Sequence, residues 1–212
     1  MSSRARRRGF TLIEVLVAMV VMAIMSLMAW QGVDGIARTR ESNQVRLEQV
    51  LRLETVIAQW EQDLASIQDE SGTPTLMCDG QSVRLIRSTE GGLQVVAWSL
   101  RPDSQNAVWQ RWASPAATTT ANLSEMWLRT FQFQGSEAGQ LRTLSGLEAW
   151  KVFYFFQGSN GWANCQSSAD VATPVSGKTT QTRLPIGVRI ELTFATGSGL
   201  AATLVRDVRI EK

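Results

Sequence analysis

From Phe10 to Trp30 nearly every position is apolar, and only Thr11, Glu14 and Ser26 interrupt the run. As a helix this stretch extends roughly 31 Å, at about 1.5 Å per residue, which matches the hydrocarbon core of a bilayer. Beyond Gln31, Val33 and Ile36 continue an apolar face past Gly32 and Gly35, the weak points at which the helix would bend. A polar stretch from Arg38 to Gln44 follows. Then Leu47, Val50, Leu53, Ile57, Trp60, Leu64 and Ile67 recur at spacings of three and four. That period belongs to an amphipathic helix with one buried stripe. The polar break favours a face covered by the protein's own sheet over a coiled-coil seam. Glu48 and Arg52, four residues apart, lie elsewhere on its surface. Ser71-Gly72-Thr73-Pro74 is the stop signal. One long helix is therefore expected, with residues 10–30 in lipid and residues 31–70 amphipathic and packed on a domain.

After Pro74 the period shortens to that of strands. Ser82–Arg87 and Leu93–Leu100 flank Thr89-Glu90-Gly91-Gly92 and read as a hairpin. Ala107–Ala113 reads as the next strand of a meander, Ser114–Asn122 as a polar loop, and Leu123–Phe131 as a short helix. Trp150–Phe156 has the composition of a strand covered on both faces, with a turn at Asn160-Gly161. Gln166–Thr182 is rich in Ser and Thr with few apolar anchors and reads as a surface loop. Val188–Phe194 and Leu200–Ile210 form a second hairpin around Thr196-Gly197-Ser198-Gly199. The expected fold is α+β: a long N-terminal helix, its first half transmembrane, followed by an antiparallel β-rich head over residues 71–212.

Charge and composition narrow the chemistry. Four arginines (Arg4, Arg6, Arg7, Arg8) fall in the first nine residues of a 212-residue chain. Without that segment, 17 basic side chains face 19 acidic ones, a net charge of about −2 rather than +2. The remainder lacks the basic surface that nucleic-acid binding requires, so no nucleic-acid partner is expected. Histidine is absent, which excludes His-dependent nucleophile triads, His-ligated metal sites and His proton shuttles. Two cysteines, Cys78 and Cys165, are too few for a four-ligand zinc site and too far apart for a redox C-x-x-C pair. Met19, Met22, Met25 and Met28 read as packing residues, not as metal ligands. Ser176-Gly177-Lys178-Thr179-Thr180 contains a G-K-T string, but a phosphate loop needs Gly at position 172, which is Ala. No cofactor and no catalytic residue is expected. Trp98, Trp109, Trp112, Trp127, Trp150 and Trp162 raise a carbohydrate-binding reading, but several alternate with apolar residues in strands and read mostly as core.

The most informative stretch is Arg6-Arg7-Arg8-Gly9-Phe10-Thr11-Leu12-Ile13-Glu14-Val15-Leu16-Val17-Ala18. A secretory signal has a short apolar core with a small-residue cleavage site after it. Here the apolar run is longer, and the Gly9-Phe10 junction precedes it. Glu14 lies inside the run, where an ionised carboxylate is expensive and demands a partner. This order resembles the signal of type IV pilins and type II secretion pseudopilins. The resemblance implies cleavage between Gly9 and Phe10 by a prepilin peptidase on the cytoplasmic side. It also implies N-methylation of Phe10, and a contact from Glu14 to a neighbouring subunit's terminal amine. An ammonium is a natural partner for a carboxylate in hydrocarbon, and the arginines would hold the N-terminus inside.

Beyond the signal, Val56-Ile57-Ala58-Gln59-Trp60-Glu61-Gln62-Asp63-Leu64 is similar to a late-helix pattern of the J-type minor pseudopilins. Trp109-Gln110-Arg111-Trp112 and Leu184-Pro185 are similar to later features of the same group. That resemblance implies a bacterial inner-membrane protein with one span and a periplasmic head. Its partners would be other minor and major pseudopilins and an inner-membrane assembly platform. Its role would be to initiate or cap a secretion pseudopilus. A minor type IV pilin, priming a surface pilus, is the alternative, and a membrane-tethered binding module is a third class. In an oxidising periplasm a Cys78–Cys165 disulfide is allowed, clamping the helix–head junction to the late loop; two separate thiols acting as small apolar fillers is the other reading.

Overall fold

The structure, a computed structural model, describes residues 10–69, 74–104, 106–135, 137–166, 184–200 and 203–210. Helix α1 (Leu12–Ala65) is followed by β1 (Leu76–Cys78), β2 (Ser82–Thr89), β3 (Gly92–Pro102) and β4 (Ala107–Ala113). Helix α2 (Thr120–Arg129) runs into a 3-10 turn (Thr130–Gln132), and then come β5 (Leu141–Phe155), β6 (Ala163–Asn164), β7 (Gly187–Phe194) and β8 (Thr203–Arg209). The chain divides into two compact units, Met1–Glu48 and Gln49–Lys212, and α1 contributes to both.

In the first unit α1 passes through Gly32 and Gly35 without interruption, and its side chains from Phe10 to Glu48 are exposed. It is long and apolar enough to cross a membrane. Within that run the Ser26 hydroxyl donates to the Met22 carbonyl at 2.8 Å. A hydroxyl satisfied by its own helix can sit in hydrocarbon without a water partner.

In the second unit the strands form one antiparallel sheet in the order β1-β2-β3-β4-β5-β7-β8, with β6 on β5. One face carries the main core. Val56, Ile57, Trp60 and Leu64 of α1 pack there with Leu85, Trp98, Trp109, Trp150, Ile190 and Val208. The expected helical stripe is present from Leu53 onward, whereas Leu47 is exposed. α1 ends at Ala65, short of the stop signal, because the next residues bond to β2. Ser88 N donates to Ser66 O at 2.9 Å and Gln68 N to Ile86 O at 3.0 Å, so the chain turns into the sheet edge. Of that stop signal, residues 71–73 lie outside the described residues.

On the opposite face, among the described residues, Ile86, Val95, Ala97 and Trp112 of β2–β4 pack against Leu123 and Trp127 of α2. α2 starts earlier than its apolar pattern suggests because Thr119 caps it: its hydroxyl accepts from Asn122 N at 3.4 Å.

β4 and both hairpins lie where the pattern puts them. β5 does not. It begins at Leu141 rather than at Trp150 and runs for 15 residues. Gly146 adopts φ +76° beside register shifts against both β4 and β7. A glycine bulge thus carries the strand through a segment that reads as a break. Nor is β5 covered on both faces: Trp150, Val152 and Tyr154 are buried, while Lys151 is exposed. Among the described residues, β2, β3 and β4 carry the runs of consecutive buried positions that mark cover on both faces. The short strands β1 and β6 carry too few residues to show a period, and the pattern passes over them. The expected loop Gln166–Thr182 lies, after Gln166, outside the described residues.

Candidate functional site

The N-terminal determinants form a local structure. Thr11 precedes the first helical residue, and Glu14 is the third residue of the helix. Thr11 N donates to Glu14 Oε2 at 2.9 Å, the Thr11 hydroxyl donates to the same oxygen at 2.8 Å, and Glu14 N donates to Thr11 Oγ1 at 3.4 Å. This is a capping box, in which side chain and backbone satisfy each other's free groups at a helix start. Its T-x-x-E spacing is legible in the sequence, although hydropathy alone does not reveal it. Chemically it keeps an exposed carboxylate at the start of an apolar helix, one turn from Phe10, which is 87% exposed. Gly9 and the arginine cluster lie outside the described residues.

A second site was not legible as chemistry. Asp63, on the buried face of α1, has no solvent exposure. Its Oδ1 accepts from Arg87 Nη1 at 2.7 Å, Arg111 Nη2 at 2.9 Å and Gln59 Nε2 at 3.0 Å. Its Oδ2 accepts from Arg111 Nε and Trp98 Nε1, both at 2.8 Å. Arg87 is held in turn by two donations to Gln94 Oε1. A buried carboxylate is tolerated when it is paired and its lone pairs are filled, and the five donors here fill them. Trp60 lies 5.5 Å from Trp109 between ring centroids, and Trp98 lies 4.4 Å from Trp109. Aromatic pairs of this kind add roughly 0.5–1.5 kcal/mol each beyond area burial. Two of the segments singled out in the sequence, Val56–Leu64 and Trp109–Trp112, therefore meet through Trp60–Trp109 and Asp63–Arg111. The signal that could have located the site is the lone Asp on an otherwise apolar helix face.

Cys78, ending β1, and Cys165, following β6, are bonded to each other with Cα atoms 5.8 Å apart. The bridge joins the sheet's β1 end to the strand that flanks β5. Near it, Asp79 is pushed up by burial, but hydrogen bonds from Arg84 and Ser82 outweigh this and hold its carboxyl below the usual range. Trp60, Trp98, Trp109, Trp112, Trp127 and Trp150 are all buried, as expected of core. Trp162 is half-buried, stacked on Phe155 at 5.4 Å with the Arg189 guanidinium 4.4 Å from its ring centre. The G-K-T string lies outside the described residues. Among the described residues no three His, Cys, Asp or Glu side chains are grouped to hold a metal ion.

Comparison with known proteins bears on the N-terminus. A search of curated proteins finds no match to the chain. The family model described as the prokaryotic N-terminal methylation motif matches residues 4–30, the span that contains Gly9, Phe10, the capping box and most of the exposed apolar helix. With its antiparallel sheet behind a long apolar helix, the chain has a pilin-like α+β architecture, and residues 4–30 are a prepilin-type signal of the kind carried by type IV pilins and pseudopilins.

Proposed function

We propose that this chain is a minor pseudopilin of a type II secretion system that initiates or caps a periplasmic pseudopilus. The observation that carries the assembly reading is the coincidence of the methylation motif with a helix that is exposed from Phe10 to Glu48. An uncovered apolar helix of this length needs lipid first and other helices afterwards. The finer assignment is supported by the joining of Val56–Leu64 to Trp109–Trp112 through Asp63 and Arg111, since both segments are similar to features of J-type minor pseudopilins.

In this reading the leader is cut after Gly9, Phe10 is methylated, and Glu14 exchanges its own capping box for the terminal amine of a neighbouring subunit. The head folds in the periplasm, where the Cys78–Cys165 bridge forms. Work is done by assembly, with no turnover of substrate. Deletion of the gene tests the assignment. Loss of exoprotein secretion with surface pili intact is the expected result. Loss of surface pili with secretion intact would assign the chain to the type IV minor pilins instead. A leader that stays attached in the wild type would overturn both.

A further inference from the structure

β8 ends the sheet, and among the described residues no strand pairs with its outer side. Ile210 N donates to Ile186 O at 3.0 Å within the register that pairs Val188 with Val208. The even-numbered residues of β8 therefore bond to β7, and the backbone N–H and C=O groups of Thr203, Val205, Asp207 and Arg209 point outward. The β7–β8 ladder runs through seven consecutive pairs with no bulge, and Val205, within it, is 46% exposed. At the other end of the sheet, β1 has only three residues. A long, regular, unpaired edge is a template for another strand.

Two concavities flank the same edge residues. One, of about 780 Å³, includes Phe155, Trp162 and Ile186 on the face opposite α1; the other, of about 570 Å³, lies against Ala58, Gln62 and Ala65 of α1. Both include Asp207, Val208 and Arg209. Side chains of an added strand alternate between faces, so one set would enter each concavity. Asp207 is already matched by Arg189, through bonds of 2.6 and 2.7 Å. Arg206 and Arg209 are exposed and make no ion pair among the described residues.

We infer that β8 takes up an extended strand of a different filament subunit, a strand with small or apolar side chains facing α1 and carboxylates placed for Arg206 and Arg209. The inference rests on the assembly reading above and names its contact surface. A second copy of this chain fits less well: self-pairing centred on Arg206 or Asp207 sets like charges against each other, and self-pairing centred on Val205 sets Leu204, not a carboxylate, against Arg206.

The test uses the full chain in its own host, with photo-reactive benzoylphenylalanine in place of Thr203 and leader cleavage read in the same cells. An adduct to another prepilin-type subunit, mapped to an extended acidic segment, is expected. Val205→Pro removes one outward N–H and no bond to β7; it is expected to cut the adduct at least tenfold while protease resistance of the head is unchanged. The pair Arg206→Glu and Arg209→Glu is expected to do the same. An adduct to the chain itself, an adduct mapped to a partner's helix, or no adduct with the leader cut each overturns the strand inference alone. An uncut leader overturns the assembly reading and this inference with it.

Discussion

Asp63 and Arg111 face each other across the main core, with Arg111 Nε 2.8 Å from Asp63 Oδ2 and Nη2 2.9 Å from Oδ1, although 48 residues separate them. The pair ties the last turns of α1 to β4 in the middle of the sheet. An ion pair buried this deeply adds little net stability over an apolar pair of the same shape, but removing one partner strands the other. Asp63→Leu should therefore destabilise the protein by about 3–5 kcal/mol. Asp63→Leu combined with Arg111→Met should recover part of that loss. Denaturant unfolding of the full chain in detergent reads both, and a double variant no better than the single one would show that Arg87 and Trp98 also depend on the carboxylate.

The Cys78–Cys165 bridge closes a loop with a sequence separation of 87 residues. Loop-closure entropy alone gives about 4–5 kcal/mol for a loop of this size. Replacing both cysteines with serine should lower the denaturant midpoint accordingly, and reductant should do so in the wild type. Two titratable thiols in protein prepared without reductant, together with an unmoved midpoint, would mean the bridge does not form in the cell.

Asp79 and Asp207 both have carboxyls held below the usual range. For Asp79, burial raises the pKa, but hydrogen bonds from Arg84 and Ser82 outweigh it; for Asp207 the Arg189 hydrogen bond comes first. A carboxyl depressed in the folded state contributes stability above its unfolded pKa of about 3.9 and loses it as pH falls through the folded value. Unfolding free energy should thus change little from these groups between pH 7 and pH 5 and decline below about pH 4. Asp79→Asn should flatten that acid limb. An unchanged limb would assign the acid sensitivity to other groups.

Glu14 is exposed, and among the described residues its carboxylate bonds only to Thr11. Glu14→Ala should leave leader cleavage and the head intact while abolishing incorporation into filaments, read by fractionating sheared filaments from membranes. Thr11→Ala removes only the hydroxyl of the capping box. It should cost about 1 kcal/mol at the helix start and leave incorporation in place. Equal loss in the two variants would make the cap itself, and not a free carboxylate, the assembly determinant.

Gly92 has φ +126°, and a Cβ there would lie 2.6 Å from the Ala117 backbone oxygen. Gly92→Ala meets both an unfavourable backbone conformation and a carbonyl bonded to Leu93 N at 3.0 Å. It should destabilise by about 1–3 kcal/mol. A thermal midpoint equal to the wild type would show that the loop after β4 yields.

The helix of residues 12–65, the hairpin of β2 and β3, β4, and the β7–β8 hairpin were legible because each rests on neighbours in sequence. Runs of consecutive apolar residues, spacings of three and four, and alternation across a Gly-Gly turn are local signals. β5 was half missed because Gly146 reads as a breaker, and only cross-strand bonds to β4 and β7 reveal it as a bulge. The end of α1 was misplaced for a similar reason, since the groups that stop it belong to β2.

The sequence by itself determined the N-terminal determinants, because the arginine cluster, Gly9, Phe10, Glu14 and the apolar run act through their order along one short segment. It also bounded the chemistry, since a chain without histidine has no His-based site to build. The tertiary structure alone decided that Asp63 is a buried anchor for Arg111, Arg87 and Trp98, that Cys78 and Cys165 approach within bonding distance, and that among the described residues no strand pairs with the outer side of β8. Each of these depends on groups far apart in the chain, and whether a charge can be buried or a strand edge left unpaired is settled only by what folding brings beside it.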